Sequence, residues 1–357
     1  MDGKGNSLIV VGAGVWGLSC AFACAKRGWD VTVLERERVG AGASGGIVGA
    51  MAPHTPDQWN PKKQFQFEAL VQAAPFWAEV ERLSGQPTGY GRIGRLQPIV
   101  TAAAKNLASA RAQTAQELWH GNYTWSVEDR PNWLTADVAP HGVIRDSLSA
   151  RIHPAKATAA LAMACKAVGV QVEEGVAIHD LPIDGAARQA DAVIIAAGVD
   201  GFDLLTPHTS KHPGKGQKGQ AALLQCDLRQ RPQLYADGLY IVPHADGTTA
   251  VGSTSENTFD EPNTTDEQLD DILAKACATL PELHRAKVLQ RWARMRPKPR
   301  KRDPMLGPIP GLPQHYAALG AFKIGFGIAA KVGETLADCL EGKGQVPSSF
   351  LVASHTA

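Results

Sequence analysis

One short stretch near the start of the chain restricts its fold more than any other. Residues 8–11 are an apolar run, Gly12-Ala13-Gly14-Val15-Trp16-Gly17 follows at once, and residues 18–27 keep helical spacing. The pattern reads as strand, tight glycine turn and helix. Gly12 permits the turn, Gly14 lets the backbone approach a pyrophosphate, and Gly17 lets the helix lie close on the strand. The helix N-terminus then faces the phosphate charge. A second strand over 30–34 ends at Glu35, where an acidic side chain accepts hydrogen bonds from ribose hydroxyls. A lone glycine motif is a weak signal. Strand, glycines, helix, strand and acid in this order predict a dinucleotide site, against the plainer alternative of a glycine turn in an ordinary α/β protein.

The remaining chain has to be built around that unit. Its 357 residues suffice for two domains with substantial cores. A hydrophobic content of 44%, a charged content of 20% and a net charge of +1 fit a soluble globular protein with no general attraction to nucleic acid or acidic membranes. No apolar stretch approaches the roughly 18 residues a membrane span needs. Residues 1–7 are polar and run into the first strand, which leaves no room for a signal peptide. Cys20, Cys24, Cys165, Cys226, Cys277 and Cys339 lack metal-ligand spacing, so no metal site and a reducing, cytoplasmic compartment are expected. Cys20 and Cys24, one helical turn apart, read as small core residues.

After Arg36-Glu37-Arg38, small residues fill 39–52 and include Ala43-Ser44-Gly45-Gly46-Ile47. They suit a loop and helix start against a large flat ligand, and the apolar continuation to Met51 argues for burial over a flexible loop. An amphipathic helix is predicted over 65–83, a strand over 93–100 and a helix over 102–120. Trp119, Trp125 and Trp133 read as core or lining of a second domain. A helix over 155–168 and a strand over 170–173 lead to Val176, in a stretch suited to supply backbone groups near an adenine. Residues 191–197 form a buried parallel-type strand closed by Gly198, at the end of the sheet where ligands bind.

From 214 to 252 the pattern becomes strands, with a hairpin around Asp246-Gly247. A helix over 266–280 stops at Pro281, 291–307 is proline-rich and basic, 316–319 is a strand, 320–327 a glycine loop and 328–340 a helix. Nucleotide-type pieces at both ends with hairpin material between them predict an α/β (α+β) fold of two interleaved domains. Residues 1–85, 150–212 and 295–357 form the Rossmann-like dinucleotide domain. Residues 86–149 and 213–294 form a substrate domain on a large mixed or antiparallel sheet.

These residues together resemble the FAD-dependent D-amino acid oxidase superfamily, in its glycine oxidase and sarcosine oxidase-like branch, over nearly the whole chain. The resemblance rests on the opening unit with Glu35, on Gly40-Ala41-Gly42-Ala43-Ser44-Gly45-Gly46, and on Ala192-Val193-Ile194-Ile195-Ala196-Ala197-Gly198. It continues through Lys218-Gly219-Gln220, Leu239-Tyr240-Ile241-Val242-Pro243, Val251-Gly252-Ser253-Thr254-Ser255-Glu256, Trp292-Ala293-Arg294-Met295-Arg296-Pro297 and Leu306-Gly307-Pro308-Ile309-Pro310-Gly311. It implies FAD, held non-covalently. Gly12, Gly14, Val15, Trp16, Gly17, Glu35 and Arg36 would serve the ADP half. Ala43, Ser44, Gly45, Gly46, Ile47 and Met51 would face the pyrophosphate and flavin edge, with Val176 near adenine and Ala197 and Gly198 closing over the dinucleotide. Lys323, Ile324, Gly325, Phe326, Gly327 and Ile328 would surround the flavin ring near N1 and O2. Arg296 matches the arginine that clamps the substrate carboxylate, and Tyr235 and Tyr240 match two active-site tyrosines.

The residues read by themselves agree with this chemistry. Hydride transfer from Cα to flavin N5 needs the reacting atoms aligned at roughly 3–3.5 Å. A guanidinium fixes a carboxylate through two hydrogen bonds, setting its position and its rotation. Arg296 is the candidate clamp; the alternative is one more residue of a solvated basic run with Arg291, Arg294, Lys298, Arg300, Lys301 and Arg302. Tyr240 and Tyr235 serve the pocket or the core. Lys323 stabilises the reduced ring or is an exposed loop lysine, and a helix N-terminus near Gly327 would act in the same sense. His54 lines the pocket or is structural.

Three features depart from the family pattern: Lys301-Arg302 replaces a usual Asp-Gly, Gly320-Ala321-Phe322-Lys323 stands for a usually histidine-bearing glycine loop, and Arg294 stands where a glycine is common. Extra cations near the clamp suit a second acidic group on the substrate. The reading is oxidation of a small amino acid or N-substituted glycine to an imine, hydrolysed to oxo acid and ammonia or amine, with O2 reduced to H2O2. The alternatives are a dehydrogenase of the same family passing electrons to a quinone or partner protein, a nicotinamide-dependent enzyme, and a flavin-bound component of a larger assembly. A homo-oligomer is compatible with each.

Overall fold

The computed structural model describes residues 6–183 and 190–356, so residues 1–5 of the polar lead lie outside the described residues. Segments from both ends of the chain meet in one six-stranded sheet. Its order from edge to edge is Met305–Pro308, His315–Leu319, Ala192–Ile195, Ser7–Val11, Asp30–Glu35, Gln171–Glu174. Neighbours run parallel except for the first pair. The opening strand is apolar throughout because both of its faces are covered. Leu8 and Val10 join the core under the helices Val15–Lys26, Pro154–Ala167 and Gly325–Leu340, whereas Ile9 and Val11 pack on the opposite side with Phe202 and Leu205.

The predicted helix over 65–83 begins earlier, at Pro61–Ser84, because the sequence supplies a start signal one turn upstream. Asn60 accepts a hydrogen bond from Lys63 N at 3.1 Å, Pro61 occupies the first turn, and Gly85 ends the helix at φ 65°. Phe65, Leu70, Trp77 and Val80 form its buried face. Trp119 and Trp125 are buried with ring centroids 6.2 Å apart, and Trp133 packs on a second cluster.

The second sheet has eight strands in the order Lys287–Pro299, Gly214–Gln225, Thr249–Gly252, Leu239–Pro243, Gln233–Ala236, Arg95–Pro98, Val143–Asp146, Trp125–Glu128. The expected hairpin around Asp246-Gly247 is present as the antiparallel pair Leu239–Pro243 and Thr249–Gly252. The segment expected only as proline-rich and basic turns out to hold a long strand, Lys287–Pro299. It lies at the edge of the sheet, paired only with Gly214–Gln225. An edge strand needs ladder donors on one side only, so Pro297 and Pro299 are accommodated. The expected division at 294/295 falls inside this strand. Likewise the helix Gly325–Leu340 starts within the expected glycine loop. The Trp16 indole N–H donates to Gly325 O at 2.9 Å, and a Cβ at Gly333 would lie 2.4 Å from Ser19 O, so this helix is set tightly on the first.

Candidate active site

A cavity of about 710 Å³ runs from the carboxyl ends of the parallel strands to the inner face of the eight-stranded sheet. At its first end the glycine turn is built as the spacing predicts. Gly12 has φ +106°, and a Cβ there would meet Ala196 O at 2.7 Å. Gly17 stands behind the cavity wall, where a Cβ would fall 1.9 Å from Gly12 O; its role is helix packing. The Glu35 carboxylate accepts from Ala13 N at 2.8 Å and from Glu37 N at 3.0 Å, which ties the turn to the end of the second strand and fixes the carboxylate in the cavity wall. Val176 N donates to Glu35 O at 2.9 Å and brings Val176 to the same end. Arg36 lies exposed at the rim, paired with Glu37 at 3.0 Å and Asp200 at 2.8 Å.

Along the middle, Ser44 Oγ accepts from Val15 N at 3.0 Å, closing the loop over the first turn of the helix. A Cβ on Gly14 would reach Ser44 Oγ at 3.1 Å, so a side chain there would fill the cradle. Ala43, Gly46, Ile47, Met51, Ala197 and Gly198 line the cavity, as do Val15 and Trp16. Gly45 and Ile328, expected at the cofactor, lie behind the wall: a Cβ on Gly45 would fall 2.3 Å from Gly40 O, and Ile328 is fully buried in the helix core. An elongated cleft with an acid and a glycine turn at one end and flat, small or apolar walls beyond fits an extended flavin dinucleotide. Among the described residues no cluster of metal-ligating side chains occurs, and no helix is long and apolar enough to cross a membrane.

At the far end stands Arg296, half-buried. Its Nη1 donates to Thr254 O at 3.0 Å and its Nη2 to Ser253 Oγ. It forms no ion pair among the described residues. Glu256, the carboxylate that acts on it, is taken up by Lys218 at 3.5 Å and by Gln220 at 3.1 Å. Burial pulls the guanidinium down to about 10, with Glu256 offsetting part of the loss. Behind the strand, Lys218 pairs with Asp266 at 2.7 Å, and Gln220 N donates to Thr254 Oγ1 at 2.8 Å, so a polar cluster holds the 253–256 segment on which Arg296 rests.

Tyr235 and Tyr240 are cross-strand partners with ring centroids 4.6 Å apart, and both line the cavity. Arg95, locked on buried Asp146 at 2.8 Å, donates to the Tyr240 oxygen at 3.3 Å. That oxygen accepts, so the phenol proton is free to donate elsewhere. Burial raises the Tyr240 phenol, and Arg95 opposes the rise. Lys323 is exposed at the cavity wall, and its ammonium donates to Ser255 Oγ at 2.9 Å. Partial burial lowers its ammonium, and the cations Arg296, Lys298 and Arg302 lower it further. Ile324, Gly325, Phe326 and Gly327 continue the same wall. His54 Nδ1 faces Gln66 Oε1, and Gln66 Nε2 donates to Ala52 O at 3.0 Å, which fixes the amide and leaves His54 Nε2 as an acceptor. Burial lowers the His54 imidazole and keeps it neutral near pH 7.

Gly219 is a contributor that residue-type reasoning passed over. A Cβ at Gly219 would sit 1.9 Å from Arg296 Nη2 and 2.2 Å from Cζ, so the guanidinium lies directly on a bare stretch of strand. The available signal was a glycine inside an otherwise regular strand, which marks close approach. Trp292 was missed as well; it lines the cavity with its ring 3.2 Å from the position of a Gly46 Cβ.

Residues 7–339 match the family model described as FAD dependent oxidoreductase. The chain is 26% identical to the glycine oxidase of Pseudomonas aeruginosa over 94% of this chain and 95% of that protein. Its fold is similar to that of glycine oxidase from Geobacillus kaustophilus, with a TM-score of 0.84, 22% identity and coverage of 97% and 98% of the two chains. It is also similar to that of iminodiacetate oxidase from Chelativorans sp. BNC1, with a TM-score of 0.79, 20% identity and coverage of 95% and 97%.

Proposed function

The chain belongs to the FAD-dependent oxidoreductase family, and from that premise we propose that it oxidises the C–N bond of a small amino acid or N-substituted glycine. The product is an imine, which water hydrolyses to an oxo acid and ammonia or amine. O2 takes the electrons and leaves as H2O2. Glycine oxidase and iminodiacetate oxidase, to which the chain is similar, are named for substrates of this class.

The observation that carries the reading is Arg296, a desolvated guanidinium at the cavity end that forms no ion pair among the described residues. A charge stripped of water and left unpaired is costly, and an incoming carboxylate relieves that cost. Two of the guanidinium's N–H groups are used on Thr254 and Ser253, and the others suffice for a two-pronged carboxylate bond. FAD, when bound non-covalently along the cleft, supplies the acceptor for two electrons. The protein's part is then to orient. Arg296 fixes the carboxylate, the Tyr240 hydroxyl is free to donate to it, and neutral His54 offers Nε2 to a proton at the cavity wall.

The test is flavin bleaching without oxygen in purified protein, with glycine, sarcosine, D-alanine, D-proline, aspartate and iminodiacetate. At least one is expected to bleach the flavin, and Arg296→Met is expected to raise its KM roughly 10–150-fold, the loss of hydrogen bonds to a charged group. No bleaching by any carboxylated amine, or an Arg296→Met protein with unchanged KM, overturns the proposal. Peroxide yield against dye reduction then identifies the acceptor.

A further inference from the structure

Two cations stand on one short piece of backbone at the substrate end of the cavity. Arg296 donates to Ser253 Oγ and to Thr254 O at 3.0 Å, and Lys323 donates to Ser255 Oγ at 2.9 Å. Both line the cavity. Two residues of backbone span at most about 7 Å, so the anchors at 253 and 255 lie within about 7 Å of each other. A guanidinium and an ammonium are therefore presented side by side, facing the same space.

Among the described residues, neither forms an ion pair with a carboxylate. The acids nearby are already engaged: Glu256 and Asp266 hold Lys218 at 3.5 and 2.7 Å, and Asp303 holds Lys62 at 2.9 Å. Lys298 bonds Asn257 Oδ1 at 3.4 Å and lies 5.8 Å from the Phe322 ring that Lys323 approaches at 5.6 Å, which brings a third positive charge near Lys323. Like charges gathered this closely raise each other's free energy unless anions sit among them. One carboxylate on Arg296 leaves Lys323 unanswered.

We infer that the substrate is an amino acid carrying two carboxylates, the first clamped by Arg296 and the second bound at the cavity mouth by Lys323. This rests on the amine-oxidation reading and narrows its substrate class. In iminodiacetate or aspartate the two carboxyl carbons are a few bonds of about 1.5 Å apart, a span of about 4–5 Å that lets both groups reach cations on adjacent parts of one wall. The exposed position of Lys323 leaves room for the second group to vary in length.

The experiment compares kcat/KM for glycine, sarcosine and alanine with that for iminodiacetate, both enantiomers of aspartate, and glutamate. The best dicarboxylate is expected to exceed the best monocarboxylate at least tenfold. Lys323→Met should reduce that ratio about tenfold and Lys323→Arg should retain it. As a readout that needs no turnover, malonate and succinate should perturb the flavin spectrum at concentrations at least tenfold below acetate. A ratio at or below one, or a ratio unmoved by Lys323→Met, overturns the inference while amine oxidation stands. If no carboxylated amine bleaches the flavin, the underlying reading falls and the inference with it.

Discussion

Replacing Gly219 by alanine isolates the proposed carboxylate clamp, Arg296, from everything else in the protein. The new Cβ would lie 1.9 Å from Arg296 Nη2, and real Cβ contacts essentially never fall below 3.0 Å, so the guanidinium has to withdraw by more than 1 Å. The clashing atoms are the far end of a flexible side chain, so the strand itself need not move. Alanine in a strand recovers about 0.5–1 kcal/mol of backbone entropy relative to glycine, which keeps the stability change small. Gly219 does not line the dinucleotide cavity, so FAD affinity stays at its parental value.

The substrate side pays instead. Withdrawal of the guanidinium sacrifices hydrogen bonds to a charged group, about 1.5–3 kcal/mol, and a 1 Å misplacement costs about 10²-fold in rate. kcat/KM is therefore expected to fall roughly 10–100-fold. The assay is steady-state turnover beside a flavin titration of the apoprotein and a thermal melt. Gly219→Ala combined with Arg296→Met should be no worse than Arg296→Met alone, because both remove one contact. Parental kcat/KM in Gly219→Ala, or full additivity in the double variant, would refute the role of this bare strand as the seat of the clamp.

Two further predictions concern the cofactor end and the core. Glu35→Gln exchanges one acceptor oxygen for a donor beside the Ala13 and Glu37 N–H groups, so FAD affinity should fall about tenfold or more with kcat at saturating FAD retained; equal affinity by fluorescence titration would sink this. His244 is fully buried against His153, with ring centroids 4.7 Å apart, and donates from Nε2 to Ile47 O at 2.8 Å. Burial, with His153 adding to it, lowers His244 from 6.5 to about 4. The unfolded chain then binds the extra proton first, so stability is complete above about pH 6.5 and declines as pH falls towards 4. The loss is about 3 kcal/mol. His244→Gln should flatten the urea-stability profile between pH 6.5 and 4, and an unchanged slope would show that His244 does not control it.

What the sequence determined by itself was local. The opening strand, glycine turn, helix and Glu35 were legible because each step depends on neighbours a few residues away, through apolar periodicity, backbone sterics and a short reach from carboxylate to turn. The hairpin around Asp246-Gly247 was legible for the same reason. The strand Lys287–Pro299 was not, because its prolines and cations argue against a strand until a partner on one side makes it an edge. The start of the helix at Gly325 was hidden too, since its anchor is an indole more than three hundred positions earlier. Arg296 was nameable as a candidate clamp from its motif. Only the tertiary structure decided that it lies on Gly219 and is held, like Lys323, by the 253–255 segment without an ion pair among the described residues. Those relations join residues from separate strands and loops, and long-range packing, which leaves no local pattern in the chain, is what brings them together.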